Sequence, residues 1–73
     1  MRNINDSVAI IAYSQDDYII VTSGRIVGIK IHVTKPDLYN VLSIDGNIYS
    51  VSDDKIFDSF ESALEIAKSK PNL

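Results

Sequence analysis

The chain has 73 residues, of which 45% are hydrophobic and 23% charged, the composition of one small globular domain rather than of a disordered segment. It contains no cysteine, so disulfides, thiolate zinc sites and cysteine nucleophiles are excluded. Seven Lys and Arg against ten Asp and Glu leave a net charge of −3, which argues against a partner held chiefly through phosphates.

Residues 1–6 (MRNIND) are polar with one Ile and read as a loose lead-in. Residues 7–14 (SVAIIAYS) alternate around Val8, Ile10 and Ala12, with Ile11 and Tyr13 on the other side, so a central strand apolar on both faces is expected. After the polar break at Gln15, Asp16 and Asp17 comes a β-branched run, residues 18–22 (YIIVT), joined to the first as a hairpin. Ser23 and Gly24 read as the next turn, since glycine accepts the positive φ that tight turns often need. Residues 25–34 (RIVGIKIHVT) show the clearest period of two, with Val27, Ile29, Ile31 and Val33 on a core face and Gly28, Lys30, His32 and Thr34 on the other. Pro36 has no N–H for a ladder and ends that strand.

Residues 39–44 (YNVLSI), Asp45-Gly46 and residues 47–52 (NIYSVS) form the strongest hairpin signal, because Asp-Gly suits the primed turns that match strand twist. A two-residue loop sets Leu42 against Tyr49 and Asn40 against Val51, with Ile44, on the core face. Tyr39, Val41 and Ile48 then fall on the other face; a four-residue loop shifts these pairings. The one convincing helix spans 58–70: Asp58 caps it, Glu61 reaches back three residues later, and Phe60, Ala63, Leu64 and Ala67 make one apolar stripe. Lys68 and Lys70 suit its C-terminus and Pro71 stops it.

No motif points to one reaction. Gly24 and Gly28 are not followed by the Lys-Ser/Thr and helix of a phosphate loop, and a calcium loop from Asp45 would place Tyr49 and Ile56 at ligand positions. His32 is the only histidine, and Thr34 beside it lacks a third partner of a nucleophilic triad. A chain this short hardly builds a cleft deep enough to raise a carboxylate pKa, so an enzyme is the least favoured class. Turn aspartates at 16, 17, 45, 53 and 54 suggest a modest acidic surface. No cofactor and no metal are expected.

Two surfaces remain. A helix covers one side of a sheet, so Tyr39, Val41 and Ile48 meet water unless the sheet curls or another chain packs there; on this reading Val41→Lys leaves the fold intact and abolishes any dimer. Alternatively, Arg25, Lys30, His32 and Lys35, with Tyr18 or Tyr39 alongside, offer cations and stacking surfaces to single-stranded nucleic acid. Lysine on a strand also discourages edge-to-edge pairing, which accounts for the same residues without a ligand.

The Ile, Asn, Asp and Tyr bias, short length and lack of cysteine look similar to small proteins of AT-rich bacterial viruses and mobile elements. The hairpin, Phe57 and Asp58-Ser59-Phe60-Glu61 helix start resemble many small domains of no known activity, over residues 39–70, and that resemblance transfers no function. The expected fold is α+β: a four- or five-stranded antiparallel sheet, open or curled toward a small barrel, with one C-terminal amphipathic helix packed on one face. The expected function is non-catalytic protein binding, as an accessory or inhibitor of a partner protein, with homodimerisation as a corollary. No signal-peptide core or apolar span is present, which favours a cytoplasmic setting and no membrane partner.

Overall fold

The computed structural model describes residues 2–14 and 18–69, so Asp16, Asp17, Lys70 and Pro71 lie outside the described residues. Strands β1 (Ser7–Ser14), β2 (Ile19–Lys30), β3 (Leu38–Ser43), β4 (Ile48–Ser52) and β5 (Ile56–Phe57) are followed by one helix, α1 (Phe60–Lys68). The strands form one antiparallel sheet in the order β4-β3-β2-β1-β5. A 3-10 turn, Asp53–Lys55, carries the chain from the β4 edge to the β5 edge. No pairing joins β4 to β5, so the sheet is not closed. The class is α+β, as the patterning implies.

The turn expected at Ser23-Gly24 does not exist; β2 runs straight through it as a single strand of 12 residues. Its first part pairs with β1 over Ile19 to Arg25 and its second with β3 over Gly24 to Lys30, so the sheet changes neighbours at Gly24 and Arg25. Glycine is needed there for space: a Cβ at Gly24 would lie 2.5 Å from the Leu42 carbonyl oxygen and 2.8 Å from Val41 Cγ1. The residue read as punctuation is instead the point of closest approach between β2 and β3, a known use of glycine inside strands.

Curling turns one face inward. Val8, Ile10, Ile26, Val41, Val51 and Ile56 form the buried cluster, with Ala12, Tyr39 and Tyr49 packed against it. Each fully buried Val or Ile contributes roughly 1.5–3 kcal/mol, so this cluster is the main source of stability. Ala9 and Ile11 point the other way and are also buried, beneath Ala63 and Ala67 of α1. Alanines let the helix lie close on β1. Strand β1 is thus apolar on both faces for two different reasons, one supplied by the curled sheet and one by the helix.

Three expectations about packing are corrected. Val27, Ile29, Ile31 and Val33 are not core: a bulge between Ile26 and Gly28 breaks their alternation, the strand ends at Lys30, and Ile31 and Val33 stand exposed in the loop over residues 31–37. Ile26, fully buried, is the core residue of that stretch. Helix α1 is capped by Ser59, whose hydroxyl accepts from the Ser62 N–H at 3.1 Å, because Asp58 is one residue too early and meets Arg2 Nη1 at 3.5 Å instead. Residues 56–57 form β5, with Phe57 opposite Ala9 and Ile56 opposite Ile10.

The third correction is the β3–β4 register. The observed pairs are Leu42 with Ile48, Val41 with Tyr49 and Tyr39 with Val51, one residue away from those expected of a two-residue loop. Both primed turns need positive φ at the first central residue, which would be Asp45, whereas only Gly46 of the two adopts it, at 90°. The loop is therefore Ile44, Asp45 and Gly46, closed by Gly46 N–H to Ser43 O at 3.0 Å and Ser43 N–H to Asn47 O at 2.8 Å. Because strand side chains alternate, a slip of one residue exchanges the faces of β3 alone: Tyr39 and Val41 join Tyr49 and Val51 on the core face, and Leu42 joins Ile48 on the other.

Residues 2–6 are tied to the sheet. Asn5 N–H donates to Ile26 O at 2.7 Å and Ile26 N–H to Asp6 O at 3.0 Å. Arg2 donates through Nε to Asp53 at 2.8 Å and through Nη2 to the Ile56 carbonyl at 2.8 Å, so its guanidinium fastens the 3-10 turn and β5.

Candidate interaction surface

The corrected register defines what the outside of the molecule offers. Across four strands the pairs Ser7 with Arg25, Arg25 with Leu42, and Leu42 with Ile48 make one row on the outer face. Helix α1 packs over β1, β2 and β5, leaving the β3 and β4 end of this row uncovered. Ile48 is 63% exposed there and Ile44, at the first position of the turn, 82%. Phe60, the first residue of α1, is 43% exposed. An open cleft of about 530 Å³ lies between helix start and sheet, lined by Ala9, Arg25, Leu42, Ile44, Asp58 and Phe60 among others.

Charge stands at the margin of this apolar ground. Arg25 is exposed and its side chain makes no hydrogen bond or ion pair with any described residue, and Asp58 lines the same cleft at the helix start. The turn that carries Ile44 is held by a carboxylate. Asp45 accepts from the Ser43 hydroxyl, the Asn47 N–H at 2.9 Å and the Tyr49 hydroxyl at 3.2 Å. These bonds, the Ser43 one foremost, hold the Asp45 carboxyl below the usual aspartate range, against a smaller opposing effect of desolvation. The apolar tip is thereby fixed in place.

The residues singled out from sequence are not brought together. Tyr39 and Val41 belong to the inner face, Val41 with no exposed surface at all, while Ile48 lies on the outer face. The one-residue slip of the hairpin separates them: Val41 is buried, Tyr39 is half-buried and Ile48 is exposed. Arg25 sits in the middle of the outer face; Lys30 ends β2, about 17 Å further along at the rise of a strand. His32 and Lys35 stand beyond it in the loop. His32 serves that loop: its backbone N–H donates to Asp37 at 3.3 Å and its ring Nδ1 lies 2.9 Å from the Pro36 carbonyl. Arg25, Lys30, His32 and Lys35 therefore do not line up on one strand face.

Sequence reasoning missed Leu42, Ile44 and Phe60 as surface residues, since each fitted an apolar stripe. The available signal was the turn: an aspartate in its middle with glycine next is as compatible with a three-residue loop as with two. A second hollow, lined by Pro36, Asp37, Tyr39, Ser52, Asp53 and Asp54, is acidic. Among the described residues no group of three or more His, Cys, Asp or Glu is placed to hold a metal ion. No helix of the described residues is long and apolar enough to cross a membrane. Comparison with family models, curated proteins and solved structures finds no match to the chain.

Proposed function

We propose that this is a non-catalytic module that binds a partner protein through the outer face of the β3–β4 hairpin and the start of α1. The observation that carries the reading is the exposure of Ile44 and Phe60 on a cleft that Leu42 also lines, with exposed Ile48 paired beside Leu42 on the same face. Single exposed aliphatics are ordinary on a monomer, but a contiguous group flanked by charge has the anatomy of an interface, apolar at the centre and polar at the rim. Arg25 and Asp58 supply opposite charges at that rim and so favour one orientation of the partner. An accessory or inhibitory role, in which the module occupies a surface of a larger protein, fits a small domain that presents an apolar patch at this place.

A photo-crosslinking side chain introduced at position 44 tests this, with position 65 on α1 as the control. The reading predicts that one protein from the native cell is captured at 44 and not at 65, and that Phe60→Asp removes the capture without lowering the melting temperature. Equal capture at both positions, or capture indifferent to Phe60→Asp, would contradict it.

A further inference from the structure

The two edges of the sheet are treated differently by the chain. Strand β5 is two residues long, and Arg2 covers it by donating to the Ile56 carbonyl. Strand β4 is five residues long, Ile48-Tyr49-Ser50-Val51-Ser52, without a charge, a proline or a bulge. Those are the devices by which edge strands are kept from pairing, and β4 has none of them.

The hydrogen-bond phase shows which groups this edge presents. Ser43 and Asn47 are a bonded pair, so by alternation Val41 with Tyr49 and Tyr39 with Val51 are bonded pairs, and Ile48, Ser50 and Ser52 turn their N–H and C=O groups away from β3. Among the described residues no backbone hydrogen bond reaches the N–H or C=O of Ile48 or Ser50 from that outer side. Ile48 and Ser50 are both exposed.

We infer that β4 pairs antiparallel with β4 of a second copy of this chain, about a two-fold axis at Ser50, to make one sheet through both molecules. The self-complementarity of the segment selects this occupant. Pairing about Ser50 makes Ser50 opposite Ser50 the central bonded pair and sets Ile48 opposite Ser52, whose N–H is outward and whose C=O, the acceptor that opens the 3-10 turn, is shared with the Ile48 N–H of the other copy. It brings Tyr49 of each copy opposite Val51 of the other as a non-bonded pair, where side chains approach most closely. The same aromatic-to-β-branched pairing already joins β4 to β3, as Val41 with Tyr49 and Tyr39 with Val51. No like charges are opposed. The contact is isologous and closes on itself, so it ends at a dimer rather than a fibre. This inference rests on the edge and its bonding phase, not on the outer-face cluster proposed above for a partner protein.

Sedimentation of the whole chain over a range of concentrations, compared with Ser50→Pro, tests it. Ser50 N–H points away from β3, so proline there removes the intermolecular bonds and spares the β3 ladder. The expected result is a species of twice 8.1 kDa for the unaltered chain and loss of that species in the variant, which still melts cooperatively at low concentration, lowered only by loss of the exposed Ser50 hydroxyl bond to Asn40 Oδ1. A second variant, Ile48→Lys, places a charge on the same edge and gives the same loss if Ser50→Pro fails to fold. Amide exchange gives the site directly: Ile48 and Ser50 become protected as concentration rises. A chain that stays at 8.1 kDa throughout overturns the inference, as does a dimer that survives both substitutions or forms with the Ile48 and Ser50 amides unprotected.

Discussion

At the scale of single residues, two side chains show how local chemistry decides what the surface presents. Asp45 sits in the tip of the β3–β4 hairpin with three donors on its carboxylate, and its ionised form is what those donors stabilise. Its carboxyl titrates lower in the folded chain than in the unfolded one, so the stability it adds is present above the ordinary aspartate pKa of about 4 and is lost as pH falls through the folded value. Asp45→Asn should therefore lower the melting temperature at neutral pH, with the gap between variant and unaltered chain closing as the pH falls below the ordinary aspartate range and through the lowered folded value. A gap of constant size across the acid range would show that the charge is not what holds the turn. Arg2 acts in the same local way from the other end of the chain, since one guanidinium reaches Asp53 and the Ile56 carbonyl. Neither role was legible in the sequence: an Asp in a turn is expected, but which donors surround it depends on the loop length.

At the scale of elements, the legible features were those set by period and by composition. The strands β1, β3 and β4 and the helix are all marked by their alternation or their stripe, and β1 was readable as apolar on both faces. Glycine is where pattern and structure part. Gly24 was read as a turn because glycine in sequence marks either unusual φ or absence of a Cβ, and nothing local tells which. In the folded chain it is absence of a Cβ that matters, with the Leu42 carbonyl oxygen 2.5 Å from where the Cβ would be. Gly24→Ala should cost about 2 kcal/mol or more, because the atom it meets is backbone and cannot rotate away. Urea unfolding measures this, and a variant as stable as the unaltered chain would mean that β2 and β3 are further apart at that point than described. The alternation over residues 25–34 failed for a related reason: the bulge after Ile26 inserts a residue, and beyond Lys30 the apolar side chains of Ile31 and Val33 have no strand to hold them inward.

At the scale of the whole molecule, the fold answers a problem posed by its size. Among the described residues one short helix accompanies a five-stranded sheet, and the sheet therefore covers most of its own inner face by curling. The sheet's α+β class was predictable from patterning, whereas which face is inner depends on one residue of hairpin register. The candidate site inherits that dependence. Ile48 was legible as exposed, but Tyr39 and Val41 were assigned with it to one face, and the basic residues were aligned on a strand that ends too early. The proposed binding surface and the proposed β4 pairing both require that Val41 be inside and Ile48 outside. Thermal melting of Val41→Lys beside Ile48→Lys, at concentrations low enough to keep the chain monomeric, tests that requirement most directly. An unpaired charge buried at Val41 should cost more than about 3 kcal/mol, comparable with the roughly 3–5 kcal/mol that a core of this size supplies, so Val41→Lys should not fold. Ile48→Lys should melt within a few degrees of the unaltered chain. A folded Val41→Lys beside an unfolded Ile48→Lys would contradict the account.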